Sequence, residues 1–137
     1  MITELRRYRI KPDRLDSWLA FFLEAAREHA PHGIRVEYAG VDLETSTFTW
    51  LRTFEDEADR VARKDAYYGA DWWLERETFA MEHVLEYEVK FLDAFAIREG
   101  DSVVAAPWPA AGEPAGSHAD APPDGWIRSS RATFVRE

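Results

Sequence analysis

The 137-residue chain is sized for one folded domain, and its 46% hydrophobic and 14% aromatic content excludes a disordered one. It has no cysteine, which excludes disulfides, thiolate nucleophiles and cysteine–zinc sites. A net charge of −9 repels phosphate backbones, so neither nucleic acid nor an anionic membrane surface is an expected partner.

The opening "MITELRRYRI" puts arginines where a signal peptide needs an apolar run, so cytoplasmic residence is the expectation. Residues 2–10 alternate and read as a strand with Ile2, Glu4, Arg6, Tyr8 and Ile10 on one face. "DRLDSWLAFFLEAAREH" reads as an amphipathic helix, with Leu15, Trp18, Leu19, Phe22, Leu23 and Ala26 at helical spacing. Pro31 disfavours helix at Ala30, and Gly33 permits the turn that follows. "IRVEYAGVDL" and "TFTWLRTF" read as two strands joined by the polar "ETS", a hairpin without glycine. "EDEADRVARKDAYY" reads as a second helix with an acidic first turn and a buried stripe of Ala58, Val61, Ala62 and Ala66. "DWWLERETFAMEH" reads as a third, shorter helix capped by Asp71. In "VLEYEVKFL", Leu85, Tyr87, Val89 and Phe91 face one way and Glu86, Glu88 and Lys90 the other.

Composition changes near Gly100: Pro12 and Pro31 precede it, whereas Pro107, Pro109, Pro114, Pro122 and Pro123 follow. The expected organisation is a folded domain over 1–97 and a proline-rich extension over 98–137. The stretch 105–125 is expected to form neither helix nor ladder. "GWIRSSRATFVRE" then recovers apolar, strand-like character, so 126–135 is expected to dock, on its own subunit or on a partner, as an arm over the barrel mouth or a sheet edge.

The order β-α-β-β-α-(α)-β is the ferredoxin-like arrangement, an α+β fold with a four-stranded antiparallel sheet covered by helices on one face. The other face would carry rings and charges, including Tyr8 or Leu5 and Trp50 or Leu51. Such a face suits a second subunit with a cavity between, that is, a homodimer.

Two stretches carry a family resemblance. "TELRRYRIKPDRLDSW" joins a Glu-Leu-Arg-x-Tyr strand through Lys-Pro to an amphipathic helix. "TWLRTFEDEADRVARKDAYYGADWW" joins an aromatic-Leu-Arg-x-Phe strand to an arginine helix and a closing tryptophan. With these, residues 2–95 resemble the NIPSNAP family of the dimeric α+β barrel superfamily. The resemblance implies two subunits packed sheet face to sheet face. Its wider relatives include cofactor-free monooxygenases, isomerases, lyases, haem enzymes and proteins without known activity. It therefore implies a place for chemistry and leaves the type open.

The residues then offer a candidate site. Glu4, Arg6 and Tyr8 share one strand face, where a carboxylate, a guanidinium and a phenol can bind or protonate a small substrate. Glu86 stands beside Glu88 as a second acidic pair, and His83 is the histidine best suited by type to act as a base. Glu4, Arg6, His83 and Glu86 are the catalytic candidates. Trp50 and Arg52 share a face of the third strand and, with Tyr8, Tyr68 and Trp72, are the candidates for substrate binding. Arg6 and Arg52 are expected to serve binding more than stability. The competing reading places these rings in the core and pairs the charges with one another. His29 and His32 are expected as cations at a helix end, with no metal-binding spacing. No cofactor is expected. The function expected is cofactor-free isomerase, lyase or monooxygenase chemistry on a small apolar or aromatic metabolite. The alternatives are a non-catalytic small-molecule-binding protein and a structural homodimer.

Overall fold

The alternating stretch Ile2–Ile10 forms β1, an interior strand of a six-stranded sheet. The structure is a computed structural model and describes residues 1–108 and 112–137. β1 pairs antiparallel with β3 (Thr47–Phe54) on one side and β4 (Val84–Asp93) on the other. β2 (Arg35–Asp42) lies outside β3, and its register slips between Val36 and Tyr38. The hairpin turn between β2 and β3 manages without glycine because Ser46 takes the left-handed conformation, φ 56°. Asp42 Oδ1 accepts the N–H groups of Glu44 and Thr45, at 3.0 and 3.3 Å, and holds the turn.

Directly opposed residues share a face, so the register sorts the sheet. The inner face carries Glu4, Arg6 and Tyr8, then Phe48, Trp50 and Arg52, then Tyr87, Val89 and Phe91, all buried. Leu85 leaves this set: a register shift between Arg9 and Ile10 pairs Val84 with Ile10 and leaves Leu85 exposed.

Helix α1 (Leu15–His29) packs Trp18, Phe21, Phe22, Ala25 and His29 against the inner face, while Leu23 points to solvent. The buried stripe is therefore turned one residue from the expected one. Gly33, at φ 71°, ends the helical segment. Helix α2 (Glu57–Tyr68) is capped by Asp56, whose side chain accepts from Asp59 N–H at 2.8 Å. Its buried residues are Arg60 and Tyr67, and the expected stripe of Ala58, Val61, Ala62 and Ala66 is exposed. The expected third helix is two short ones, α3 (Asp71–Leu74) and α4 (Glu77–Met81). Asp71 is the first residue of α3, and its N-cap is Ala70.

The extension also builds structure. β5 (Ala96–Glu99) and β6 (Ser102–Ala105) form a separate hairpin that turns at Gly100, φ 61°, so a boundary at 97 falls inside β5. Within 105–125, Ala115–Ser117 makes one 3-10 turn, and Pro109 lies outside the described residues. β8 (Thr133–Arg136) pairs antiparallel with β4, and β7 (Trp126–Arg128) pairs with β8. The sheet order is β2-β3-β1-β4-β8-β7. Phe134 stacks on Tyr87 with ring centroids 4.8 Å apart, and Trp126 meets Tyr87 edge-on at 5.2 Å.

Candidate functional site

A cavity of about 750 Å³ lies between the inner sheet face and the helices, not on the opposite face where a partner was expected to close it. Sheet residues Arg6, Tyr8, Trp50 and Tyr87, α1 residues Trp18 and Phe22, and Tyr68 of α2 line it. The extension completes the wall with His118, Asp120, Pro123 and Phe134. The rings meet mostly edge to face: Tyr8 lies 5.5 Å from Trp18 and 5.5 Å from Tyr87. Such pairs add about 0.5–1.5 kcal/mol each beyond the area they bury, which keeps the wall rigid.

Beneath the wall sits a buried ionic cluster. Glu4 is fully buried and joined to three arginines. Arg6 Nη1 donates to Oε1 at 2.6 Å, and Arg52 donates to Oε1 and Oε2 at 3.2 Å each. Arg60 Nη1 stands 3.7 Å from Oε2. Burial alone pushes the Glu4 carboxyl up, but Arg52 and Arg6 outweigh it and hold the group below the ordinary value. Glu4 is therefore a fixed anion that orients guanidinium groups and does not act as an acid.

His29 closes one end of the cluster. Its Nδ1 donates to the Ala25 carbonyl at 2.7 Å, and its Nε2 accepts from Arg52 Nη1 at 3.1 Å. Burial, and then Arg52, lowers its pKa to about 3, so it is neutral rather than the helix-end cation that its position suggested. At the other end, Arg6 Nε donates to the Tyr8 hydroxyl at 2.8 Å. Burial pushes the Tyr8 phenol up against the opposing pull of Arg6, so it stays protonated at neutral pH. Among the described residues, neither Arg6 Nη2 nor the Tyr8 hydroxyl proton has an acceptor, and both side chains line the cavity. Two donors thus stand open at a ring-lined cavity.

The residues singled out by sequence divide accordingly. Glu4, Arg6, Tyr8, Trp50 and Arg52 come together, and Tyr68 joins them with its ring 5.3 Å from the Arg52 guanidinium. Arg52 is fully buried in the cluster and faces Glu4 and His29, not the cavity, so its first duty is to the fold. Trp72 stacks on Phe21, centroids 5.8 Å apart, outside the lining. His83 is a tie between elements: Nδ1 donates to the Phe79 carbonyl at 2.8 Å and Nε2 accepts from Ser17 at 2.8 Å. Glu86 lies on the outer sheet face, paired with Arg9 at 3.1 Å, and does not reach the cavity. His83 and Glu86 are thereby separated from the other candidates. Sequence reasoning missed Arg60 and Asp120, which meet across the cavity edge. The sequence did not single them out, because Arg60 is one of six charged residues in a twelve-residue helix. No grouping of three or more His, Asp or Glu able to hold a metal occurs among the described residues.

By sequence the chain matches no family model and no curated protein. By shape it matches solved structures. A NIPSNAP family protein from Agrobacterium tumefaciens superposes with a TM-score of 0.63 at 20% identity, over 68% of this chain and 91% of that one. The fold is that of the NIPSNAP proteins. An uncharacterized NIPSNAP domain protein from Burkholderia xenovorans gives 0.61 at 16% identity, over 68% and 93%. A putative antibiotic biosynthesis monooxygenase from Bacteroides thetaiotaomicron gives 0.54 at 20% identity, over 72% and 91%. The NIPSNAP matches span nearly all of their own chains and about two thirds of this one, which leaves room for an extension here.

Proposed function

We propose that this chain is a divergent NIPSNAP-type protein whose cavity binds a small, largely aromatic metabolite through an anionic or enol oxygen. The carrying observation is the pair of open donors, Arg6 Nη2 and the Tyr8 hydroxyl, set among Trp18, Trp50 and Tyr87. A guanidinium and a neutral phenol directed at one oxygen favour its enolate or phenolate over its neutral form. Glu4 fixes Arg6 in that pose from below. Any chemistry would be cofactor-free and of the isomerase, lyase or monooxygenase kind, with the bound anion as the reactive species. One observation favours binding without catalysis: both ring nitrogens of His29 and of His83 are engaged, so neither is a free base.

Titration of the protein with 2-naphthol, followed by tryptophan fluorescence, tests the site. Arg6→Met should retain the fold and weaken binding by about tenfold, the share of one charge-assisted hydrogen bond. Unchanged affinity in a folded Arg6→Met protein would sink the assignment. Native mass spectrometry of freshly purified protein would show any retained metabolite directly.

A further inference from the structure

The extension meets the cavity in two separable ways. β8 is held by pairing with β4, β7 by pairing with β8, and both by Trp126 and Phe134 on Tyr87. The preceding segment, 112–125, is irregular apart from one 3-10 turn, and it crosses the cavity as a strap. Asp120 fastens the strap to α2. Arg60 Nη1 donates to Oδ2 at 3.0 Å, Arg60 Nη2 donates to Oδ1 at 3.1 Å, and Lys64 Nζ stands 3.4 Å from Oδ1.

The cationic side of this contact is built in advance. Glu57 holds Arg60 through two further bonds, at 2.8 and 2.7 Å, and Phe91 lies under the guanidinium at 4.4 Å. The carboxylate side is not. It arrives on the strap, where Asp93 accepts from Ala115 N–H at 3.2 Å and the side chains of Arg128 and Arg131 donate to the carbonyls of Asp120 and Gly116. Lys64 and Asp120 line the cavity, whereas Arg60 does not and is 1% exposed: Asp120 covers it. Resting on the cavity reading above, we propose that Arg60 and Lys64 form a carboxylate-binding subsite of the cavity, which the chain's own Asp120 fills.

A ligand carboxylate that displaced Asp120 would inherit a two-pronged guanidinium contact and an ammonium neighbour. Glu4 ties this subsite to the first one, since Oε1 takes Arg6 and Oε2 neighbours Arg60. The pair of sites fits an aromatic acid that carries a second, enolic or phenolic oxygen. Displacement would also free the strap, so binding and opening are one event.

The test compares 2-naphthoate with 2-naphthol, the same rings with and without the carboxylate. In full-length Asp120→Asn, the subsite loses its internal competitor. Affinity for 2-naphthoate should rise by about tenfold over the wild type if the latch is open one-tenth of the time. Affinity for 2-naphthol should change by less than about twofold, and adding Arg60→Met should cancel the gain. Equal gains for both probes would make the strap a steric cover and overturn the subsite, as would an unchanged affinity for 2-naphthoate. If neither probe binds either protein, the cavity reading itself fails. A measurement on the wild type needs no variant: bound 2-naphthoate should speed hydrogen exchange at 118–121, and bound 2-naphthol should not. Slowed or unchanged exchange with 2-naphthoate bound would also overturn the subsite.

Discussion

A single carboxylate organises the inner face. Glu4 balances Arg6 and Arg52 and touches Arg60, with no water-exposed surface of its own. Glu4→Gln leaves these guanidinium groups buried with less compensation, and it should cost about 3–5 kcal/mol. Urea denaturation reads this as a lower midpoint at constant slope. Arg52→Met should be similarly costly, in contrast to Arg6→Met, because only Arg6 faces the cavity. His29 supplies a pH signature. Its folded pKa, about 3, lies below the ordinary value of 6.5, so the unfolded chain takes up its proton first. Stability from this group is complete above pH 6.5 and falls as pH drops toward 3, by about 1.4 kcal/mol per unit at full slope. Glu4 and Asp120 are both held below their ordinary values, so their contributions fade only at lower pH. Between pH 6 and 5 the loss should be about 1 kcal/mol and should vanish in His29→Gln. An identical slope in that variant would show that His29 is not the group responsible.

At the scale of elements, strands were legible and helix faces were not. Alternation fixes a strand's two faces, so Glu4, Arg6 and Tyr8 were placed together from sequence, as were Trp50 and Arg52. Helix α2 broke the pattern because its alanines and Val61 face out while Arg60 faces in beside Tyr67. Arg60 is tolerated there by partners far away in the chain: Glu4 and, 60 positions on, Asp120. No local periodicity carries such information, and the cavity's true side was misjudged for the same reason. The arm was visible as apolar residues after a proline-rich run, with a sheet edge among its expected docking places, but that the edge would be β4 was not. Phe134→Ala or Trp126→Ala should loosen it, each by up to about 3 kcal/mol. The check is hydrogen exchange at the β8 amides, which should quicken while those of β1 stay protected. Unaltered protection in β8 would mean that backbone pairing alone suffices.

At the scale of the molecule, the outer sheet face remains to be covered. Leu5 and Leu51 stand opposite each other there, with Tyr38 58%, Leu92 42% and Ile127 47% exposed around them. A rim of Arg7–Glu88 and Arg9–Glu86 ion pairs borders them. We expect a homodimer through this face. Leu51→Asp should give folded monomers at micromolar concentration in sedimentation, and a wild type that is itself monomeric there would refute the expectation.

The pairing of β8 with β4 has a consequence for misassembly. β4 runs ten residues and its inner face is apolar, so bare it would be a long template for another chain's strand. β8 caps part of that template and β7 shortens the new margin to three residues, each end flanked by arginine: Arg128 on β7 and Arg136 opposite Trp126. The opposite margin, β2, is protected differently, by its register slip and by Arg35, Glu37 and Asp42. The extension thus covers an edge that would otherwise be free to pair with another chain. A chain cut at residue 125 should lose solubility on warming well before its helices melt.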